Sequence, residues 1–137
     1  LRPTAQAAAP GAAVDGGAIF AANCAACHQA NGQGLPGVFP PLAGSEWVVG
    51  DPKVLANILL HGVSGKIEVA GQSFDGMMPA FAQLSDAEIA GVLTHIRSTW
   101  GNQSEAISAD FVASEREAGS ARTTPFEGIE ALKALIK

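Results

Sequence analysis

Ile89, Val92, Leu93, Ile96 and Trp100 fall at i, i+3, i+4, i+7 and i+11, one stripe of an α-helix. Ser85 with Glu88 three residues on makes a capping box ahead of that stripe, and Gly101 stands at its C′ position. A second helix is as clearly punctuated. Asp51 is the N-cap, Pro52 is at N1, Val54, Leu55, Ile58 and Leu59 form the apolar face, and Gly62 follows the last turn. A first helix begins after Asp15, with Gly16, Gly17, Ile19, Phe20, Cys24 and Cys27 at helical spacing, and is expected to run to about His28.

Between these helices the period is lost. Residues 30–50 hold Gly32, Gly34, Pro36, Gly37, Pro40, Pro41 and Gly44, and read as a long loop. A loop of that length inside a compact domain tends to be functional, and this one has the character of a wrap around a bound object. A second loop is expected from Gly62 to Leu84, with a short helical turn near Pro79–Gln83. Residues 1–14 are Ala-rich and aperiodic, the pattern of a mobile leader or linker. Two weaker helices are expected in the tail, one from Ser108 or Ala109 to before Gly119, the other from about Pro125 to Ile136. Strand alternation is confined to Lys66–Ala70, so the expected class is all-α: three main helices plus loops, with a C-terminal extension.

Composition narrows the picture. Sixteen glycines and eight prolines in 137 residues support extensive loop. Aromatics are only 6% and Tyr is absent, so something other than aromatic side chains is expected to fill the centre. A net charge of −5 argues against a nucleic-acid partner. No run of 18 apolar residues is present, so no membrane span is expected, and Leu1-Arg2-Pro3-Thr4 lacks the apolar segment of a signal peptide.

The two cysteines carry the chemistry. Cys24-Ala25-Ala26-Cys27-His28 is C-x-x-C-H, the c-type haem attachment motif. Two thiols three residues apart on a helical turn can add to the vinyl groups of neighbouring pyrroles, and the following imidazole then reaches the iron. A covalent porphyrin would also supply the missing core. The same C-x-x-C could form a redox disulfide, but there is no βαβ pattern around it. It could be half of a zinc site, but no second Cys pair exists, leaving only His61 and His95 to complete one.

A haem iron takes a sixth ligand, and a distal Met raises the potential and blocks substrate, giving an electron carrier. Met77 and Met78 are the two methionines, both in the second loop beside Pro79 rather than on a helical stripe. His61, at the end of the second helix, and His95, beside the stripe of the third, are the rival ligands.

Over about residues 15–102 the chain resembles class I cytochrome c, the small monohaem electron carriers of bacterial periplasm and mitochondria. Gly16 and Phe20 occupy the family's positions for a close helix crossing and the aromatic packed there; His95 stands where the last helix usually has an aromatic, and Trp100 adds bulk one turn later. Pro40-Pro41-Leu42 is similar to the family's Pro-x-Leu, which implies Pro40 as acceptor for the proximal imidazole and Leu42 as a residue packed on the ring. Gly76-Met77-Met78-Pro79-Ala80-Phe81 looks like the distal loop, which implies Met78 as ligand, with Met77 and Phe81 near the exposed haem edge. Trp47 looks like the aromatic whose indole N–H donates to a haem propionate. The implied fold is the small cytochrome c fold around one haem c, bound through Cys24 and Cys27 with His28 and Met78 on the metal.

The segments Met78-Pro79-Ala80-Phe81, Leu84-Ser85-Asp86, Ile96-Arg97 and Trp100-Gly101-Asn102, with Arg122-Thr123-Thr124-Pro125-Phe126 in the tail, are similar to cytochrome subunits of periplasmic dehydrogenases, terminal oxidases and copper nitrite reductases. The implied partners are such redox proteins, and the implied location is the periplasm of a Gram-negative bacterium. The implied function is one-electron transfer by a carrier that is not itself an enzyme. Two alternatives remain open: a haem enzyme or ligand sensor with an open distal site, and an electron-transfer module of a larger redox enzyme.

Overall fold

The structure, a computed structural model, describes residues 15–136; the leader expected over 1–14 lies outside the described residues. Helices α1 (Gly16–Asn23) and α2 (Ala25–His28) replace the single first helix that the spacing predicts. The break is at Cys24, whose φ of −120° leaves the helical region, while its N–H still bonds the Phe20 carbonyl at 2.8 Å. Asp15 caps α1 by accepting from Ala18 N at 3.0 Å. A long loop then leads to α3 (Glu46–Val49), a single turn capped by Ser45. Helix α4 (Pro52–His61) has Asp51 as its cap and Gly62 at its end, as its punctuation requires.

The expected all-α arrangement of three main helices is not what forms. Seven α-helices and a three-stranded mixed sheet are present among the described residues. Strands β1 (Val63–Val69) and β2 (Gln72–Met78) make an antiparallel hairpin in place of the expected loop. The physical reason is visible in the register. Val63 pairs with Met78, Gly65 with Gly76 and Ile67 with Phe74, so one face of the ribbon carries all six residues. Glycine at the middle pair removes two side chains from that face and interrupts the apolar alternation on both strands. The hairpin turn is Ala70-Gly71, with φ of 53° and 82°. Two positive φ values in a two-residue loop are the type I′ geometry, usually announced by Asn-Gly or Asp-Gly; here alanine occupies the first position. Beyond β2, the helical turn expected near Pro79–Gln83 is a simple turn closed by Leu84 N on Phe81 O at 3.1 Å.

Helix α5 (Asp86–Arg97) starts with the capping box, Ser85 and Glu88 bonding each other's backbone N–H. It stops before Trp100, because the Ser98 and Thr99 hydroxyls bond back to carbonyls of the last turn. Helix α6 (Ala109–Ala118) is capped by Ser108. The last expected helix is divided: Phe126–Glu127 form β3, parallel to β1, followed by α7 (Gly128–Lys133) and a 3₁₀ turn at Ala134–Ile136. Ile107, Val112, Phe126 and Leu132 of this tail are buried in the same apolar core as Leu55, Leu59, Ile89 and Leu93. The sheet order is β2-β1-β3, so the tail holds one edge of β1 while the other edge carries β2.

Candidate haem-binding site

The elements surround a cavity of about 420 Å³ lined by Cys24, Cys27, His28, Met78 and a largely apolar wall. On the first side, α2 ends with the buried His28. Its Nδ1 lies 2.8 Å from the Pro40 carbonyl oxygen. A carbonyl oxygen only accepts, so the proton is on Nδ1 and the Nε2 lone pair is left for a ligand. Burial lowers the imidazole pKa below its ordinary 6.5, while the Pro40 bond opposes that shift. The loop returns Pro40 to the imidazole through Gly34 N on His28 O at 2.9 Å and Leu42 N on Gly32 O at 2.7 Å. Burial, followed by the neighbouring Cys27, pushes the Cys24 thiol up to about 11, so before attachment it is a neutral thiol.

The hairpin supplies the opposing apolar surface. Val63, Gly65, Ile67 and Val69 of β1, with Phe74, Gly76 and Met78 of β2, line the cavity. Met78 shares the face of Phe74 and is half-buried, whereas Met77 is 69% exposed. A Cβ built on Gly76 meets no atom within 4 Å, so the wall is recessed at that point. Phe81 lines the same cavity and its N–H holds the Leu59 carbonyl at 2.7 Å.

The third wall is the loop around α3. Leu42, Trp47 and Val48 line the cavity there. Trp47 Nε1 donates to the Glu68 carbonyl at 2.7 Å, tying α3 to β1 rather than standing free for a carboxylate. Two residues not foreseen as site residues hold this loop. Buried Arg97 donates to the carbonyls of Val48 and Gly50, each at 3.0 Å, and of Glu105 at 2.9 Å. Buried Asn102 donates to Leu42 O and Ile96 O and accepts from Gly44 N at 2.9 Å. Both are polar residues at the end of an apolar helix, a signal for buried hydrogen bonding once the helix end is located.

Neither His61 nor His95 lines the cavity. His95 packs on Phe20, with ring centroids 5.9 Å apart, and Trp100 lies 5.1 Å from Phe20. The crossing of α1 and α5 beneath them needs Gly16: a Cβ there would come within 2.7 Å of the Gly91 carbonyl carbon. His61 makes a T-shaped contact with Phe126, ring centroids 5.6 Å apart.

A neutral imidazole lone pair, two thiols beside it, a thioether on the hairpin and an apolar recess between them are the donor set of a covalently held metalloporphyrin. A family model for cytochrome c matches residues 13–100. The chain belongs to the cytochrome c family. It is 50% identical over 95 residues to a cytochrome c-552 of Thermus thermophilus, an alignment covering 66% of this chain and 64% of that protein. It is 35% identical over 113 residues to the cytochrome c subunit of a quinone alcohol dehydrogenase from Gluconobacter oxydans, covering 80% of this chain and 23% of that subunit. A gluconate 2-dehydrogenase cytochrome c subunit from Pantoea cypripedii is 36% identical over 110 residues, 74% of this chain and 24% of the subunit. The chain thus spans less than two thirds of the first relative and about a quarter of the subunits. Membership of this family makes covalent haem c the cofactor, with Cys24 and Cys27 as the attachment residues. No helix among the described residues is long and apolar enough to cross a membrane.

Proposed function

We propose that this cytochrome c is a periplasmic one-electron carrier in which His28 and Met78 are the two axial ligands. The observation that carries the reading is that His28 and the half-buried Met78 enter one apolar cavity from separate elements; His61 and His95 do not line it, and Met77, which also borders it, is 69% exposed. When bound, haem c supplies an iron couple that gains and loses one electron. The protein's part is to keep both ligands in place in either state, so that few atoms move on transfer. Pro40 orients the imidazole through Nδ1, and Leu42, Ile67, Val69 and Phe74 exclude water.

Leu35 and Val38 of the first loop, 47% and 55% exposed, and Met77, 69% exposed, leave an apolar rim beside the cavity. Such a rim suits a small, short-lived contact, below about 1,200 Å² of buried surface. The dehydrogenase subunits among the relatives point to a redox enzyme as partner, either as a separate protein or as a complex containing this module. The net charge of −5 favours a neutral or basic docking face and a salt-sensitive on-rate.

The test is the sulfur-to-iron charge-transfer absorption of the oxidised holoprotein in the far red. It should be present near neutral pH, vanish in Met78→Ala and persist in Met77→Ala. A holoprotein with no such band, or one that keeps it in Met78→Ala, overturns the ligand set and brings an open-site haem enzyme or sensor to the fore.

A further inference from the structure

We propose that the C-terminal extension positions the distal ligand, with Arg116 and Phe126 as the residues that do so. The inference rests on the reading of Met78 as the axial ligand.

Two independent sets of contacts converge on the segment that carries Met78. The first is the sheet. Phe126, Val63 and Met78 form one row across the three strands, because Val63 pairs with Met78 on one edge and with Phe126 on the other. Phe126 N donates to the Gly62 carbonyl at 3.1 Å. Gly62 in turn lies against the backbone of Met78–Ala80: a Cβ there would sit 2.6 Å from Met78 O and 3.1 Å from Ala80 N. Gly62 is therefore held between the extension and the ligand segment, with no slack on the ligand side. Phe126 is itself fixed, its ring in a T-shaped contact with His61 and under the Arg122 guanidinium, which lies 3.9 Å from its centroid.

The second set lies just downstream. One guanidinium, Arg116 of α6, donates to Asp86 Oδ1, the Ala82 carbonyl and the Leu84 carbonyl, each at 2.8 Å. The planar fork fixes all three acceptors relative to one another. The segment between them is otherwise held by the Phe81–Leu59 bond and the turn to Leu84. Met78 thus sits in a short span whose upstream end is braced by β3 through β1 and whose downstream end is gripped by α6. Both braces come from the extension. A tail that served only to cover the core could do so through Val112 and Leu132, without reaching either end of this span.

The experiment uses the full-length oxidised holoprotein and imidazole as an external competitor for the distal site. Arg116→Ala and Phe126→Leu are each titrated with imidazole at a temperature well below their far-ultraviolet unfolding midpoints, with Met78→Ala in parallel. The expected result is a gain in imidazole affinity of about tenfold in Arg116→Ala, the scale of one lost charge-assisted hydrogen bond, and a smaller gain in Phe126→Leu, which loses the ring contacts with His61 and Arg122 but keeps its backbone bond to Gly62. The charge-transfer band should bleach on heating before the helical signal is lost. Arg116→Lys, which keeps the charge without the fork, should recover only part of the effect and serves if Arg116→Ala does not fold. Wild-type imidazole affinity in the variants, with band and helix lost together, overturns the proposal and leaves the extension a cover for the core. If wild type lacks the band or Met78→Ala keeps it, the ligand assignment itself has failed and the proposal falls with it. If Met78→Ala behaves as expected and the extension variants do not, the positioning inference alone is overturned.

Discussion

On one side of the cavity, the attachment cysteines, the imidazole and the carbonyl that orients it all lie between Cys24 and Pro40, joined by one turn of helix and one loop. On the other side, Met78 depends on β1, on a turn at Ala70-Gly71, and on a tail whose contacts come from Arg116 and Phe126. The proximal wall is local in sequence and linked to the haem by covalent bonds. The distal wall is assembled from distant segments and, on the present reading, offers a single thioether. Failure of the first should release the cofactor. Failure of the second should leave the cofactor in place with a changed environment.

The largest effect follows directly. Replacing Cys24 and Cys27 together by alanine should abolish haem retention through denaturing electrophoresis, measured by peroxidase staining. Met78→Ala should retain stainable haem at near wild-type intensity. Loss of stain in Met78→Ala would mean that the distal wall is needed for attachment, and the contrast between the walls would not hold.

That contrast also explains what could be read from the residues alone. The motif at Cys24–His28, the Pro40 and Leu42 segment and the caps at Asp51 and Ser85 are short-range signals, and each needs only its neighbours to be recognised. The hairpin is different. Its inward face is broken by the cross-strand pair Gly65 and Gly76, at the same level on both strands, and β2 opens on the polar Gln72 opposite Val69, so the period of two is weak. A search for paired runs around Ala70-Gly71, with glycine allowed inward, would find it. The divided first helix, the early end of α5 and the strand at Phe126–Glu127 depend on local φ values, hydroxyl back-bonding and pairing with β1. The first two are matters of local geometry and the third of tertiary pairing, and helical spacing has access to none of them. Arg97 and Asn102 are hidden from the sequence because they reach carbonyls of a segment 49 and 60 residues away.

Arg97 and Arg116 offer a sharper comparison on the stability scale. Arg97 is buried and serves Val48, Gly50 and Glu105; Arg116 has a side chain 34% exposed. Arg97→Ala leaves three carbonyls without their donor, for a loss of about 2–4 kcal/mol. Arg116→Ala should cost about 1 kcal/mol, since water can replace part of its fork. Denaturant midpoints of the two holoproteins check the order, and an equal loss would mean that Arg116 contributes to the global fold as much as Arg97.

A smaller effect is expected in the opposite direction at the hairpin turn. Ala70 adopts a φ of 53°, which alanine disfavours and asparagine or glycine accepts. Ala70→Asn should raise stability by about 0.5–1 kcal/mol, by the usual preference of a type I′ turn. A thermal midpoint below wild type would show that the turn is not held in this geometry. In the proximal loop the left-handed positions Gly32 and Gly34 are already glycine, and the comparable non-glycine position is Gln29, at a φ of 67°.

The smallest effect is a pH dependence located behind the distal wall. His61 Nε2 is buried with no hydrogen-bond partner among the described residues, facing Gly119 of the tail. Burial first, then the nearby Arg122, lowers its pKa below the ordinary 6.5. The unfolded chain therefore binds this proton more readily than the native one. The stability that neutral His61 contributes is complete above about pH 6.5 and is lost as pH falls from there through the lower native value. The other charges near this cleft are Lys53 and Glu115, which pair at 3.0 Å, so Glu115 is already engaged when His61 gains a proton. Unfolding midpoints of wild type and His61→Phe, compared from about pH 8 to about pH 5, should diverge only on the acid side. The Phe variant should have the flatter profile, because an apolar ring keeps the contact with Phe126 and has nothing to protonate. Parallel profiles would show that the tail is docked without regard to the charge of His61, and would leave the distal brace to Arg116 and the sheet alone.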